Sequence, residues 1–163
     1  MPLTLDQTNP KRYRHTLSIP AGDGLVQVSL HGADPAGNQV QKVPTSGDNF
    51  TLDNTAPTGS LTFSGPGAQD GYTNTTSVNI QFTAQDAFGI AAYLTRLDNA
   101  SVPEISDFVD TIAPTSTSLS PGDGSKTIYG WAMDTTGNIG GPFMDNIALD
   151  TQPPVLVILD GPD

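Results

Sequence analysis

The chain repeats itself, and this repeat limits the fold more than any other feature. "DPAGN" at 34–38 and "DTTGN" at 134–138 share Asp-x-x-Gly-Asn at an offset of 100 residues. Each copy has an Asp-Gly turn about ten residues upstream, "AGDG" at 21–24 and "PGDG" at 121–124. Each is followed by a short apolar run ending in Leu-Asp and then proline: "FTLDNTAP" at 50–57 and "IALDTQPP" at 147–154. Residues 16–38 lie over 116–138 without a gap, and the two Leu-Asp pairs end 97 residues apart, at Asp53 and Asp150.

The unit so delimited reads as short strands. From Thr55 onward, strand candidates fall at 58–65, 77–86, 90–98, 116–120, 126–134 and 143–150, with a weak one near Phe108. In "SVNIQFTAQD" (77–86), Val78, Ile80, Phe82 and Ala84 alternate with Asn79, Gln81 and Thr83. Period two with one polar face is a half-buried antiparallel strand. The 17 Gly and 14 Pro, scattered as punctuation, suit turns every 8–12 residues and disfavour long helices. Seven short strands at that spacing predict an all-β, immunoglobulin-like antiparallel β-sandwich with Val78, Ile80, Phe82, Ile128 and Ala132 inside. The predicted organisation is a segment outside the repeat (1–15), the C-terminal half of one repeat (16–54), a complete repeat (55–151), and a linker with the first strand of a next repeat or a donor strand (152–163).

"DNTAPTGSLTFS", "YTNTTSVNIQFTAQDAFGIAAYL", "LSPGDGSKTIYGWAMDTTGNIG" and "DNIALDTQPPV" resemble the tandem bacterial immunoglobulin-like repeats of large secreted and surface proteins. In that family a Lys-Thr-Val-Tyr strand runs into Asp-x-x-Gly-Asn, and Leu-Asp-x-Thr-x-Pro joins the units. The second linker departs from this at Gln152-Pro153-Pro154. The resemblance implies a secreted or cell-surface bacterial module, and it implies no activity.

Charge narrows the partners. A net charge of −11 repels phosphate backbones, so nucleic acid is not an expected partner. No run approaches 18 apolar residues, so membrane insertion is not expected either, and the first residues show no signal peptide. With no cysteine, disulfides, thiol catalysis and Cys-ligated zinc are excluded. His15 and His31 are the only imidazoles, and no nucleophile elbow, zinc helix or phosphate-cradling loop accompanies them. The chain is therefore read as non-enzymatic. An isopeptide cross-link would require Lys126 to be buried beside an Asn and an acid, and Lys126 directly follows a turn. The sequons at Asn49, Asn74 and Asn99 are no more than chance supplies.

Two sets of side chains remain as candidate sites. Asp23, Asp53, Asp86 and Asp134 fall on turns expected to meet near Asn54. Hard oxygens converging there suit a structural Ca²⁺, which takes six to eight of them. The competing reading is local, since Asp and Asn close turns through their own backbones. Tyr129 and Trp131 lie on the strand face opposite Ile128, either open to a sugar ring or packed beneath the 99–115 segment.

The function expected is a non-enzymatic stalk or adhesin repeat. The alternatives are a self-assembling filament subunit joined by β-strand exchange and a carbohydrate-binding module. Expected partners are neighbouring repeats or identical subunits by strand addition, with a surface glycan or host ligand also possible. Strand addition is expected because 16–53 would leave Val28, Leu30 and Phe50 uncovered, while "PVLVIL" (154–159) has no domain of its own.

Overall fold

The computed structural model describes residues 4–5, 13–14, 16, 18–19, 21–42, 47–65 and 68–157. The chain divides into two compact units, Met1–Asn54 and Thr55–Asp163, a boundary that matches the end of the first Leu-Asp landmark.

In the first unit, β1 (Thr4–Leu5) pairs antiparallel with β2 (Tyr13–Arg14). β3 (Gly24–Gln27) pairs with β6 (Asn49–Leu52), and β4 (Leu30–Ala33) pairs with β5 (Gln39–Lys42), both antiparallel. The chain leaves strand geometry at Val28–Ser29, between β3 and β4, although the Val28 N–H still donates to the Asp48 carbonyl at 2.6 Å. A reason lies in the return strand. The first copy has three more residues than the second between Asp-x-x-Gly-Asn and Leu-Asp, so its partner strand is split into β5 and β6. Burial is slight: every residue of β4 and β5 is exposed.

The second unit is the sandwich. β7 (Thr58–Ser64), β9 (Ser77–Gln85) and β11 (Ser116–Ser118) form one sheet in the order β11-β9-β7. The other sheet, in the order β10-β12-β13-β8, holds β8 (Tyr72–Thr73), β10 (Ile90–Leu97), β12 (Gly124–Asp134) and β13 (Ile139–Leu149). Pairing is antiparallel except for β8, which runs parallel to β13. No α-helix occurs among the described residues, only two short 3-10 turns at Ala68–Asp70 and Ile105–Asp107.

Alternation sets the core. Leu61, Phe63, Val78, Ile80, Phe82 and Leu119 meet Ile128, Ile147 and Leu149 between the sheets. All five residues expected inside are buried, with Ile128 and Ala132 at 0% exposure. Gly130 faces inward because a Cβ there would crowd Leu61 Cδ2 (2.8 Å) and the Phe82 ring (3.0 Å). Phe82 in turn meets Tyr93 and Phe143 edge-on, at 5.2 and 6.0 Å between ring centroids, a favoured aromatic geometry.

Two local expectations are corrected. There is no strand at Phe108; a 3-10 turn ends there and only Asp110 bridges to Tyr93. The last strand begins at Ile139 rather than near 143, because the tight Asp-x-x-Gly-Asn turn lets pairing resume at once, with Met133 opposite Ile139.

Candidate functional site

The repeated motif builds the same lock twice. In the second unit Asp134 is 1% exposed. Its Oδ1 accepts the backbone N–H groups of Thr136 (2.8 Å), Gly137 (2.7 Å) and Asn138 (2.9 Å) and the Thr136 hydroxyl (2.8 Å). Its Oδ2 accepts from Asn138 Nδ2 at 2.8 Å. Gly137 takes a φ of +98°, where a side chain would be strained. Asp34 repeats the arrangement on the surface, with Oδ1 accepting the Asn38 N–H at 2.8 Å and Oδ2 accepting Asn38 Nδ2 at 2.7 Å. Asp-x-x-Gly-Asn is therefore a turn closed by its own first and last side chains.

The carboxyl pKa values follow this geometry. Burial alone would push the Asp134 carboxyl up, but the side-chain bonds from Asn138 and Thr136 and the backbone bonds outweigh it and hold it below the usual carboxylate value. Asp34 is lowered chiefly by the Asn38 side chain, then by the Asn38 backbone N–H.

The second repeated device locks the linker. Asp23 Oδ1, on the Asp-Gly turn, accepts the Asn54 N–H at 2.7 Å, and Asn54 Nδ2 donates to the Gly22 carbonyl at 3.0 Å. In the second unit Asp123 Oδ1 accepts the Thr151 N–H at 2.9 Å and its hydroxyl at 2.8 Å. The Asp123 carboxyl is lowered first by the Thr151 side chain and then by its N–H. In both copies the residue after Leu-Asp is thus tied back to the Asp-Gly turn upstream. Asp23, one of the candidate metal ligands, here accepts a backbone N–H through Oδ1. The signal was available, since the Asp-Gly turn and the Leu-Asp end recur together.

The next linker residues are held by the second unit. Pro57 is buried, and its carbonyl lies so close to Gly140 that a Cβ at Gly140 would overlap it. Only Thr55 and Ala56 lie between the Asn54 lock and the Pro57 contact.

Of the four aspartates read as candidate metal ligands, the second unit holds two. Asp86 and Asp134 bring carboxylate oxygens within 4.8 Å of each other. Asp86 Oδ1 also accepts the Phe88 N–H at 2.8 Å, and no basic side chain pairs with either carboxylate among the described residues. Asp53 belongs to the first unit.

The outward aromatic face is corrected. Trp131 is 1% exposed and Tyr129 half-buried, so neither offers an open platform for a sugar ring. The Arg96 guanidinium lies 5.8 Å above the Trp131 ring centroid, and Tyr129 stacks beside it at 6.3 Å. Arg96 is in turn held by Asp107 Oδ2 (2.8 Å) and the Ser101 carbonyl (3.0 Å) of the following segment. Packing under 99–115 is thus what these aromatics do, with Arg96 as the intermediary. Trp131 Nε1 is buried without a partner, a cost of about 1–3 kcal/mol that the cation and ring contacts offset.

Lys126 points inward with Ile128 and is 9% exposed, but no Asn or acidic side chain bonds to it among the described residues. His31 sits on the open surface of β4 with the Ser29 hydroxyl at 3.2 Å and no carboxylate bonded to it. The structure missed by sequence reading includes Asp98, in the left-handed region at φ 52°. It accepts the Thr127 N–H at 2.8 Å and the Ser120 hydroxyl at 3.2 Å, closing the end of β10.

No family model and no curated protein sequence matches the chain. Among solved structures, the chain is similar to the fibronectin(III)-like modules of Clostridium thermocellum CbhA, at 17% identity and a TM-score of 0.39. That match covers 79% of this chain and 64% of the other, so the chain spans under two thirds of that structure. No helix among the described residues is long and apolar enough to cross a membrane.

Proposed function

We propose that the chain is a non-enzymatic structural module, a tandem immunoglobulin-like repeat of a bacterial cell-surface protein that acts as a stiff spacer in a stalk or adhesin. The observation that carries this reading is the linker lock, made twice by Asp23 on Asn54 and Asp123 on Thr151. A linker tied at Asn54 and seated at Pro57 leaves two residues for bending between the units, and short tied linkers act as stiff ones. Residual dipolar couplings measured on both units test the reading: one shared alignment tensor is expected, and independent tensors would reject a stiff spacer.

A divalent cation at the linker end of the sandwich is a second element of the proposal. Two carboxylates within 4.8 Å with no basic partner favour one. Asp86 and Asp134 would be its ligands. Calcium titration followed by EDTA tests it by the melting temperature.

A further inference from the structure

β7 ends at Ser64 and β9 begins at Ser77; between them lie the 3-10 turn at Ala68–Asp70, the short β8 and the loop that follows it. In the second unit these segments border a cleft of about 220 Å³. Its apolar floor is Val78 and Ile147, which are 7 and 1% exposed.

The wall of the cleft is fixed and uncharged. Thr73 Oγ1 accepts the Thr75 N–H and donates to the Thr75 carbonyl, both at 3.2 Å, and the Thr75 hydroxyl donates to the Ser77 carbonyl at 3.1 Å. The loop is thereby pinned by its own hydroxyls. Four further polar residues line the cleft, Ser64, Asn74, Ser77 and Asn79. Their side chains make no hydrogen bond among the described residues.

Hydroxyl and carboxamide groups both donate and accept, so the wall offers both roles above an apolar floor. A sugar ring matches that combination, because its hydroxyls donate and accept while its C–H groups are apolar. Charge decides which sugars fit. No ionisable side chain lines the cleft, and the chain carries a net charge of −11. An acidic sugar is therefore repelled, and a cationic ligand finds no counter-charge in the wall. Size decides how many rings. The cleft is smaller than the roughly 300–1,000 Å³ of sites that enclose drug-sized ligands, so it takes one ring and not a chain.

We propose that this cleft binds one terminal ring of a neutral glycan. Ser64, Asn74, Ser77 and Asn79 hydrogen-bond its hydroxyls, and its C–H edge rests on Val78 and Ile147. No aromatic side chain lines the cleft, so stacking adds nothing. A ring of about twelve non-hydrogen atoms then reaches a dissociation constant of about 1–10 mM. Trp131 is not among the lining residues, so its emission stays silent when the cleft fills. The inference does not rest on the spacer reading, which concerns the linker between units.

¹H–¹⁵N correlation spectra of the whole chain test this, with methyl glycosides of glucose, galactose, mannose and N-acetylglucosamine added to about 50 mM. At least one glycoside is expected to shift the lining amides saturably, at a dissociation constant of about 1–10 mM, while glycerol and glucuronate leave them in place. Asn74→Ala and Asn79→Ala, at exposed positions, are each expected to weaken that glycoside by at least about fivefold. The amide pattern of β10 and β12 is expected to be unchanged in both variants, which separates loss of contact from loss of fold. Lining amides that no glycoside shifts would overturn the inference. So would glycerol or glucuronate shifting them equally, or folded variants that bind like the wild type.

Discussion

Replacing Asp134 by alanine removes one acceptor that serves five donors, and the size of the loss can be worked from the structure. Three backbone N–H groups and the Thr136 hydroxyl converge on Oδ1 at 2.7–2.9 Å, with Asn138 Nδ2 on Oδ2. A hydrogen bond to a charged group contributes about 1.5–3 kcal/mol. Bonds that share one acceptor are not additive, and the exposed side of the turn lets water reach part of what is orphaned. About 3 kcal/mol is therefore expected. For a unit of this size that lowers the melting temperature by roughly 10–20 °C. Asparagine at 134 keeps an acceptor oxygen without the charge and should recover about half of the loss. Trp131 is the only tryptophan and lies in the same unit, so its fluorescence reports this transition alone. The melt is run in EDTA so that no cation contributes. A loss below about 0.5 kcal/mol, the ordinary scatter of surface substitutions, would refute the reasoning.

The pH dependence follows from the same carboxylate. Its folded pKa lies below the ordinary carboxylate value, so stability is fully present above the unfolded value and is lost as pH falls through the folded one. Acid titration of wild type against Asp134→Asn should show a steeper wild-type decline below about pH 4. Gly140→Ala should displace the Pro57 carbonyl, cost about 1–3 kcal/mol, and raise amide exchange at Thr55–Ala56. The Trp131 emission should be blue-shifted, resistant to iodide and unchanged by sugars. Millimolar Ca²⁺ should raise the melting temperature by several degrees, at a dissociation constant of about 10⁻⁴–10⁻³ M typical of extracellular modules. EDTA or Asp86→Asn should reverse the rise; a flat response assigns Asp86 and Asp134 to turn closure alone.

What could be read from sequence was what local pattern determines. Val78, Ile80 and Phe82 declare β9 by alternation, and Ile128 with Ala132 declare the inward face of β12. Parity alone also puts Lys126 on that inward face, although it directly follows a turn. Trp131 went the other way because parity says which face a residue takes and not what lies above it. Its cover, Arg96, comes from β10, whose Leu94 is opposite Trp131 and whose Arg96 is opposite Tyr129. Such cross-strand neighbours leave no trace at short range. Asp23 shows a middle case: its partner Asn54 is 31 residues away, yet the pairing recurs as Asp123 with Thr151. The repeat that revealed the fold carried that information too.

The residue after each Leu-Asp is locked to its own unit. Backbone ¹⁵N relaxation with amide exchange at Asn54 and Thr151 tests it most directly, in the wild type and in Asp23→Ala and Asp123→Ala. Strand-like order and slow exchange are expected at both amides, each lost only in its own variant. Fast exchange and linker-like mobility at Asn54 and Thr151 in the wild type would contradict it.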